Sequence, residues 1–145
     1  TLSKAWGLAG LRLGMAFASE AIIDILDTVK PPYNINTATQ ELVLKALEEV
    51  GQVNDMIKII VDMREALANV FRKMPTVEKV YPSDANFLLV KIADARAVYD
   101  FLLTQQIVVR DRSSVELCEN CLRITIGTEK ENTLLVDAMQ AWYNR

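Results

Sequence analysis

The chain has 145 residues, 16 of them Lys or Arg and 19 Asp or Glu, for a net charge of −3, with 51% apolar and 24% charged residues. That is ordinary globular composition, long enough for one domain with a real core, and it speaks against disorder and against nucleic acid or an anionic membrane as partner. Histidine is absent, which removes Ser–His and Cys–His nucleophiles, imidazole metal sites and imidazole proton shuttles. Any chemistry must then rest on Lys, Arg, Tyr, carboxylates or a cofactor.

Periodicity gives an α/β alternation. Residues 1–14 read as a motif entered midway, with no initiating methionine, so an upstream portion is expected. Leu11 to Ala18 is an apolar run short enough for a buried strand, as in a mostly parallel sheet. Glu20 to Val29 predicts a short helix with Ile22, Ile23, Ile25 and Leu26 as its apolar residues. Lys30-Pro31-Pro32-Tyr33-Asn34 breaks it and marks a hinge, dividing the chain into residues 1–35 and 36–145. Tyr33 and Asn34 are expected to line the entrance of a site.

Thr37-x-x-Gln40 is a capping-box pattern before a helix running to about Val50, punctuated by Gly51. A long helix over roughly Val53 to Met74 carries an apolar stripe of Val53, Met56, Ile57, Ile60, Met63, Leu67, Val70, Phe71 and Met74, and Pro75 stops it. The period then changes. Val77 to Tyr81 and Asn86 to Ile92 read as strands around a Pro82-Ser83-Asp84 turn. Asp94 caps a helix carrying Ala95, Val98, Tyr99 and Leu102. Ile107 to Val109 and Leu122 to Ile126 are two more strands, and Thr128-x-x-Glu131 is a second capping box. It opens a final helix with Leu135, Ala138, Met139 and Trp142 inward. From Asn36 onward these elements make a compact α+β domain. No apolar run is long enough to cross a bilayer and no signal-peptide pattern is present, so a cytoplasmic protein is expected.

Cys118 and Cys121 form a C-x-x-C pair. With no second pair, no histidine and no strand-then-helix context, they read as structural thiols in a reducing compartment, and no metal is expected. Lys4 is one of eight lysines, ordinarily solvated, but Ser3 and Ala5 flank it and Gly7, Gly10 and Gly14 punctuate a stretch expected to be buried. Burial lowers a lysine pKa, and a neutral amine is what a Schiff base with an aldehyde cofactor requires. Arg12, inside the apolar run, needs an anionic partner. A cofactor phosphate would serve, with the Ser3 hydroxyl adding a hydrogen bond, and so would carboxylates at a strand end. By themselves Arg110, Asp111 and Arg112 read as an exposed alternating-charge loop, whereas Arg123 precedes a buried strand.

Thr1 to Gly10 resembles the class-II aminotransferase attachment pattern for pyridoxal phosphate, and Ala9-Gly10-Leu11-Arg12-Leu13-Gly14 continues it as in fold-type I aminotransferases. Residues 107–114 and 119–128 resemble the histidinol-phosphate aminotransferase branch of that family. With Asn86-Phe87-Leu88-Leu89-Val90, the likeness covers essentially the whole chain. The resemblance implies an α/β fold: the carboxy-terminal small α+β domain of such an enzyme (36–145) and the last strand and helix of its large domain (1–35). It implies pyridoxal 5'-phosphate as cofactor, Lys4 as the Schiff-base lysine and proton-transfer base, and Ser3 and Arg12 on the cofactor phosphate. Arg123 would grip the substrate's acidic group and Arg110 the substrate phosphate, with Arg112 facing solvent. The implied reaction is amino transfer between histidinol phosphate and 2-oxoglutarate, yielding glutamate, in histidine biosynthesis by a homodimeric parent. Residues 1–145 alone are expected to be inactive, because the family's other cofactor ligands precede the lysine motif. An aromatic amino-acid aminotransferase, a threonine-phosphate decarboxylase and a non-catalytic α+β binding module stay open as alternatives.

Overall fold

The computed structural model describes all 145 residues and contains five α-helices and one four-stranded sheet. Two compact units make up the chain, Thr1–Ile57 and Lys58–Arg145. No helix is long and apolar enough to cross a membrane.

In the first unit, residues 1–14 close into a loop. The Leu2 N–H donates to the Leu13 carbonyl at 3.4 Å, the Leu8 N–H donates to the Leu2 carbonyl at 3.1 Å, and Leu2 is buried. Ala9–Leu11 forms one turn of 3-10 helix, ended by Arg12 in the left-handed region at φ 53°. The buried strand expected over Leu11 to Ala18 does not form. A strand needs a partner for its backbone groups, and the only sheet, which is antiparallel throughout, lies entirely within residues 77–125. The run therefore stays at the surface, with Phe17 92% exposed.

Helix α1 (Glu20–Val29) forms over the expected residues, but its Ile22, Ile25 and Leu26 are exposed. Lys30 ends it in extended backbone, as a residue before proline must. Tyr33 follows in the left-handed region at φ 56° and is fully exposed. Helix α2 (Thr37–Leu47) is capped one residue earlier than the capping-box spacing predicted. Asn36 Oδ1 accepts the Thr39 N–H at 2.8 Å, which puts Gln40 one position too deep for the box, and its amide donates to the Ile35 carbonyl at 3.1 Å instead. Helix α3 (Val50–Phe71) takes Gly51 into its first turn. The cost of a helical glycine, about 1 kcal/mol, is small for so long a helix.

The second unit takes α3 from Lys58 onward, the strands β1 (Val77–Val80), β2 (Phe87–Ile92), β3 (Arg110–Asp111) and β4 (Cys121–Thr125), and the helices α4 (Ala95–Thr104) and α5 (Glu129–Tyr143). The strand order is β1-β2-β4-β3. Alternation along β2 and β4 puts Leu88, Val90, Ile92, Leu122 and Ile124 on one face, where they are buried with Leu67 and Phe71 of α3, Val98 and Leu102 of α4, and Leu135 and Met139 of α5. The opposite face carries Phe87, Leu89 and Arg123.

Local signals hold at both later caps. Asp94 Oδ1 accepts the Ala97 N–H at 3.4 Å, and Thr128 with Glu131 forms the complete capping box. The strand expected over Ile107 to Val109 is displaced. Gln106 adopts the left-handed region at φ 60° and the Ile107 N–H turns back to the Leu102 carbonyl at 2.9 Å, so pairing begins only at Arg110. Cys118 and Cys121 are free thiols joined by a turn in which the Cys121 N–H donates to the Cys118 carbonyl at 3.0 Å.

Candidate functional site

Ser3, Lys4 and Arg12 share the loop of residues 1–14. The Leu2–Leu13 hydrogen bond sets Ser3 and Arg12 on neighbouring stretches of backbone. The Lys4 carbonyl accepts the Gly7 N–H at 3.0 Å, closing a turn in which Gly7 takes a φ of 65°, a conformation glycine adopts without strain. Ser3 is half-buried, and Lys4 and Arg12 are exposed. The burial expected for Lys4 is thus not found: the stretch around it closes into a largely exposed loop. Arg12 Nη1 donates to the Ala9 carbonyl at 3.2 Å. No carboxylate lies within 4.0 Å of Lys4 or Arg12, and none occurs in the sequence before Glu20. A hydroxyl, an ammonium and a guanidinium with no acid among them form a donor set suited to the phosphate of an anionic cofactor.

On the sheet, Arg110 of β3 and Arg123 of β4 are direct cross-strand partners, and Leu89 of β2 faces Arg123 from the other side. Like charges in this relation repel. Neither guanidinium has a carboxylate within 4.0 Å. Arg110 is exposed, whereas Arg123 is half-buried, with a buried Nε that finds no acceptor in the chain. The Arg123 guanidinium lies over the Phe87 ring, 5.1 Å from its centroid. Asp111, the acid adjacent to Arg110, accepts the Ser113 N–H at 2.9 Å, and hydrogen bonding from Ser113 holds its carboxyl below the usual range. It is therefore engaged within its own loop. The Arg112 N–H donates to the Cys121 carbonyl at 2.8 Å and the residue is half-buried, not turned wholly to solvent as expected.

Two further residues, one on this face and one in contact with the turn that precedes β2, are not singled out by the sequence. Phe87 was only part of a matched segment. Arg64, buried at 9% exposure on α3, donates from Nη1 to the Ala85 carbonyl at 3.0 Å, two residues before Phe87. Its signal was its place on the apolar period between Ile60 and Leu67. Cys121 is buried, and burial pushes its thiol pKa up. No group of three Cys, Asp or Glu is placed to hold a metal ion.

The family model for aminotransferase class I and II matches residues 1–139. The chain is 49% identical over 142 residues to the histidinol-phosphate aminotransferase of Cytophaga hutchinsonii, covering 98% of this chain and 41% of that protein. Among solved structures, the histidinol-phosphate aminotransferase from Clostridium acetobutylicum matches with a TM-score of 0.88 at 23% identity, over 99% of this chain and 44% of that one. The histidinol-phosphate aminotransferase from Sinorhizobium meliloti, in complex with pyridoxal-5'-phosphate, matches with a TM-score of 0.80 at 22% identity, over 98% and 40%. At these identities the two structures establish the fold. The chain spans about two fifths of the length of the curated relatives it matches. With nearly its whole length matched by one family model, the chain belongs to the aminotransferase class I and II family.

Proposed function

We propose that the chain serves, within a longer polypeptide, a pyridoxal-phosphate-dependent aminotransferase that moves an amino group between histidinol phosphate and 2-oxoglutarate in histidine biosynthesis. The observation that carries this reading is the register pairing of Arg110 with Arg123, two guanidiniums without a carboxylate partner. An anion offsets the repulsion between them, and planar guanidinium forks bind phosphate and carboxylate alike. Arg110 takes the substrate phosphate and Arg123 the substrate's acidic group, so one pair serves a phosphorylated amine and a dicarboxylate in turn.

Ser3 and Arg12 donate to the cofactor phosphate. Pyridoxal 5'-phosphate, when bound, supplies an aldehyde for amines and a ring that accepts an electron pair. Lys4 provides the amine at Nζ and, once free, takes up and returns the proton at the substrate carbon. In this reading residues 1–35 belong with the large domain and 36–145 form the carboxy-terminal small domain of a cytoplasmic homodimer, and residues 1–145 alone do not turn over substrate.

The test is made on the full-length polypeptide. Arg110→Ala lowers kcat/KM for histidinol phosphate by about 10- to 100-fold, the worth of a charge-assisted hydrogen bond pair. An unphosphorylated aromatic amino acid loses far less. Equal losses on both substrates would remove the phosphate role and favour an aromatic amino-acid aminotransferase.

A further inference from the structure

We infer that Phe87 is the positioning residue of Arg123: its ring holds the guanidinium in place without consuming the N–H donors, and Arg64 fixes the turn from which that ring projects. The inference rests on the reading of Arg123 as an anion ligand. The ring centroid lies 5.1 Å from the guanidinium carbon, within the range of attraction between a cation and an aromatic face. Arg123 makes no ion pair, and its buried Nε has no acceptor. A carboxylate in the ring's place would hold Arg123 as firmly, but it would neutralise the charge and occupy the fork that an incoming anion needs. An aromatic face leaves both intact.

The ring's own position is fixed by the backbone around it. Phe87 opens β2 opposite Thr125, two residues beyond Arg123 on the same sheet face. Ser83 Oγ donates to the Phe87 carbonyl at 2.6 Å and accepts the Ala85 N–H at 3.2 Å, and the Ile126 N–H donates to the Asn86 carbonyl at 2.9 Å. Arg64 adds the bond to the Ala85 carbonyl at 3.0 Å, 21 residues away in sequence. A buried cation is expensive to keep. The one carboxylate beside Arg64, that of Glu65 at 3.3 Å, is 58% exposed, so the bond to Ala85 is the interaction that ties this cation to the sheet.

The experiment titrates the 145-residue chain with inorganic phosphate and follows the Arg123 side-chain Nε–H by NMR, for the wild type, Phe87→Leu, Phe87→Tyr and Arg64→Met. Phosphate is expected to shift the wild-type Arg123 signal. Phe87→Leu, which keeps apolar bulk and loses the ring, weakens phosphate binding about fivefold and speeds rotation about the Arg123 Nε–Cζ bond. Phe87→Tyr, which keeps the ring face, stays within about twofold of wild type, and Arg64→Met follows Phe87→Leu. Equal weakening by Leu and Tyr, or none by Leu, overturns the inference. Without any variant, ring stacking moves the wild-type Arg123 side-chain protons upfield, and random-coil positions would overturn it too. If phosphate leaves Arg123 untouched while those protons are ring-shifted, it is the anion-ligand reading that fails, and this inference with it.

Discussion

Arg110 and Arg123 stand directly opposite each other on β3 and β4, and the nearest acid in sequence, Asp111, is bonded to Ser113. A cross-strand pair of like charges lowers stability by up to about 1 kcal/mol. Arg110→Gln should therefore raise the urea midpoint of the chain in low salt by the equivalent of about 0.5 kcal/mol. The gain should vanish as salt screens the pair. A fall in midpoint at every salt concentration would show that the two arginines do not repel.

Leu122 is fully buried in the central strand β4. Leu122→Ala removes atoms from a packed core and leaves a cavity, so urea denaturation should show a loss of about 2–5 kcal/mol. Ile25→Gln, on the exposed side of α1, should change stability by no more than about 0.5 kcal/mol. Similar losses at the two positions would mean that α1 is packed.

Glu131 and Asp111 set the acid limit. The backbone N–H and then the hydroxyl of Thr128 hold the Glu131 carboxyl below its ordinary value, and hydrogen bonding from Ser113 does the same for Asp111. Each depressed carboxyl contributes stability that is fully present above its unfolded-state pKa and lost as pH falls through the lower folded value. With ordinary values of 4.5 and 3.8, the loss starts near pH 4.5 and deepens below it. Thermal melts should show no step between about pH 5 and 7, where histidine is the only side chain that titrates unperturbed and the chain has none. Thr128→Ala should cost about 1 kcal/mol at neutral pH and blunt the acid step at the same time.

The two thiols should separate by reactivity. Cys118 is half-buried, whereas Cys121 is fully buried and its pKa is raised by that burial. Timed alkylation at mildly alkaline pH should label Cys118 at least about tenfold faster, since the thiolate is the reactive form. Equal rates would mean that β4 opens often at its first residue.

What could be read in the sequence was what short range decides. α1, the Asp94 cap and the Thr128–Glu131 box each depend on neighbours within four residues, and each formed as expected. Asn36 took the cap from Thr37 because two adjacent residues both cap well and only one can occupy the position. The Leu11 to Ala18 run misled for the opposite reason: apolar character permits a strand, but a partner makes one. At the sheet site, both arginines could be picked out, but not that they face each other. That register follows from the Arg112 N–H reaching the Cys121 carbonyl across eight residues of loop. Arg64 stayed hidden because an arginine at an apolar period position looks like the polar edge of a stripe until its carbonyl acceptor is seen.

Helix α1 has ten residues and buries none of them. A helix so short and unpacked is marginal in water, so its hydrogen bonds open without the rest of the molecule unfolding. Its amide protons should exchange with deuterium at close to the free-peptide rate, while those of β2 and β4 exchange only through global unfolding. The fastest backbone of the chain would then lie about sixty residues before β2 and about ninety before β4 in sequence, and an exchange map would mark the extent of the cooperatively folded unit without reference to any ligand.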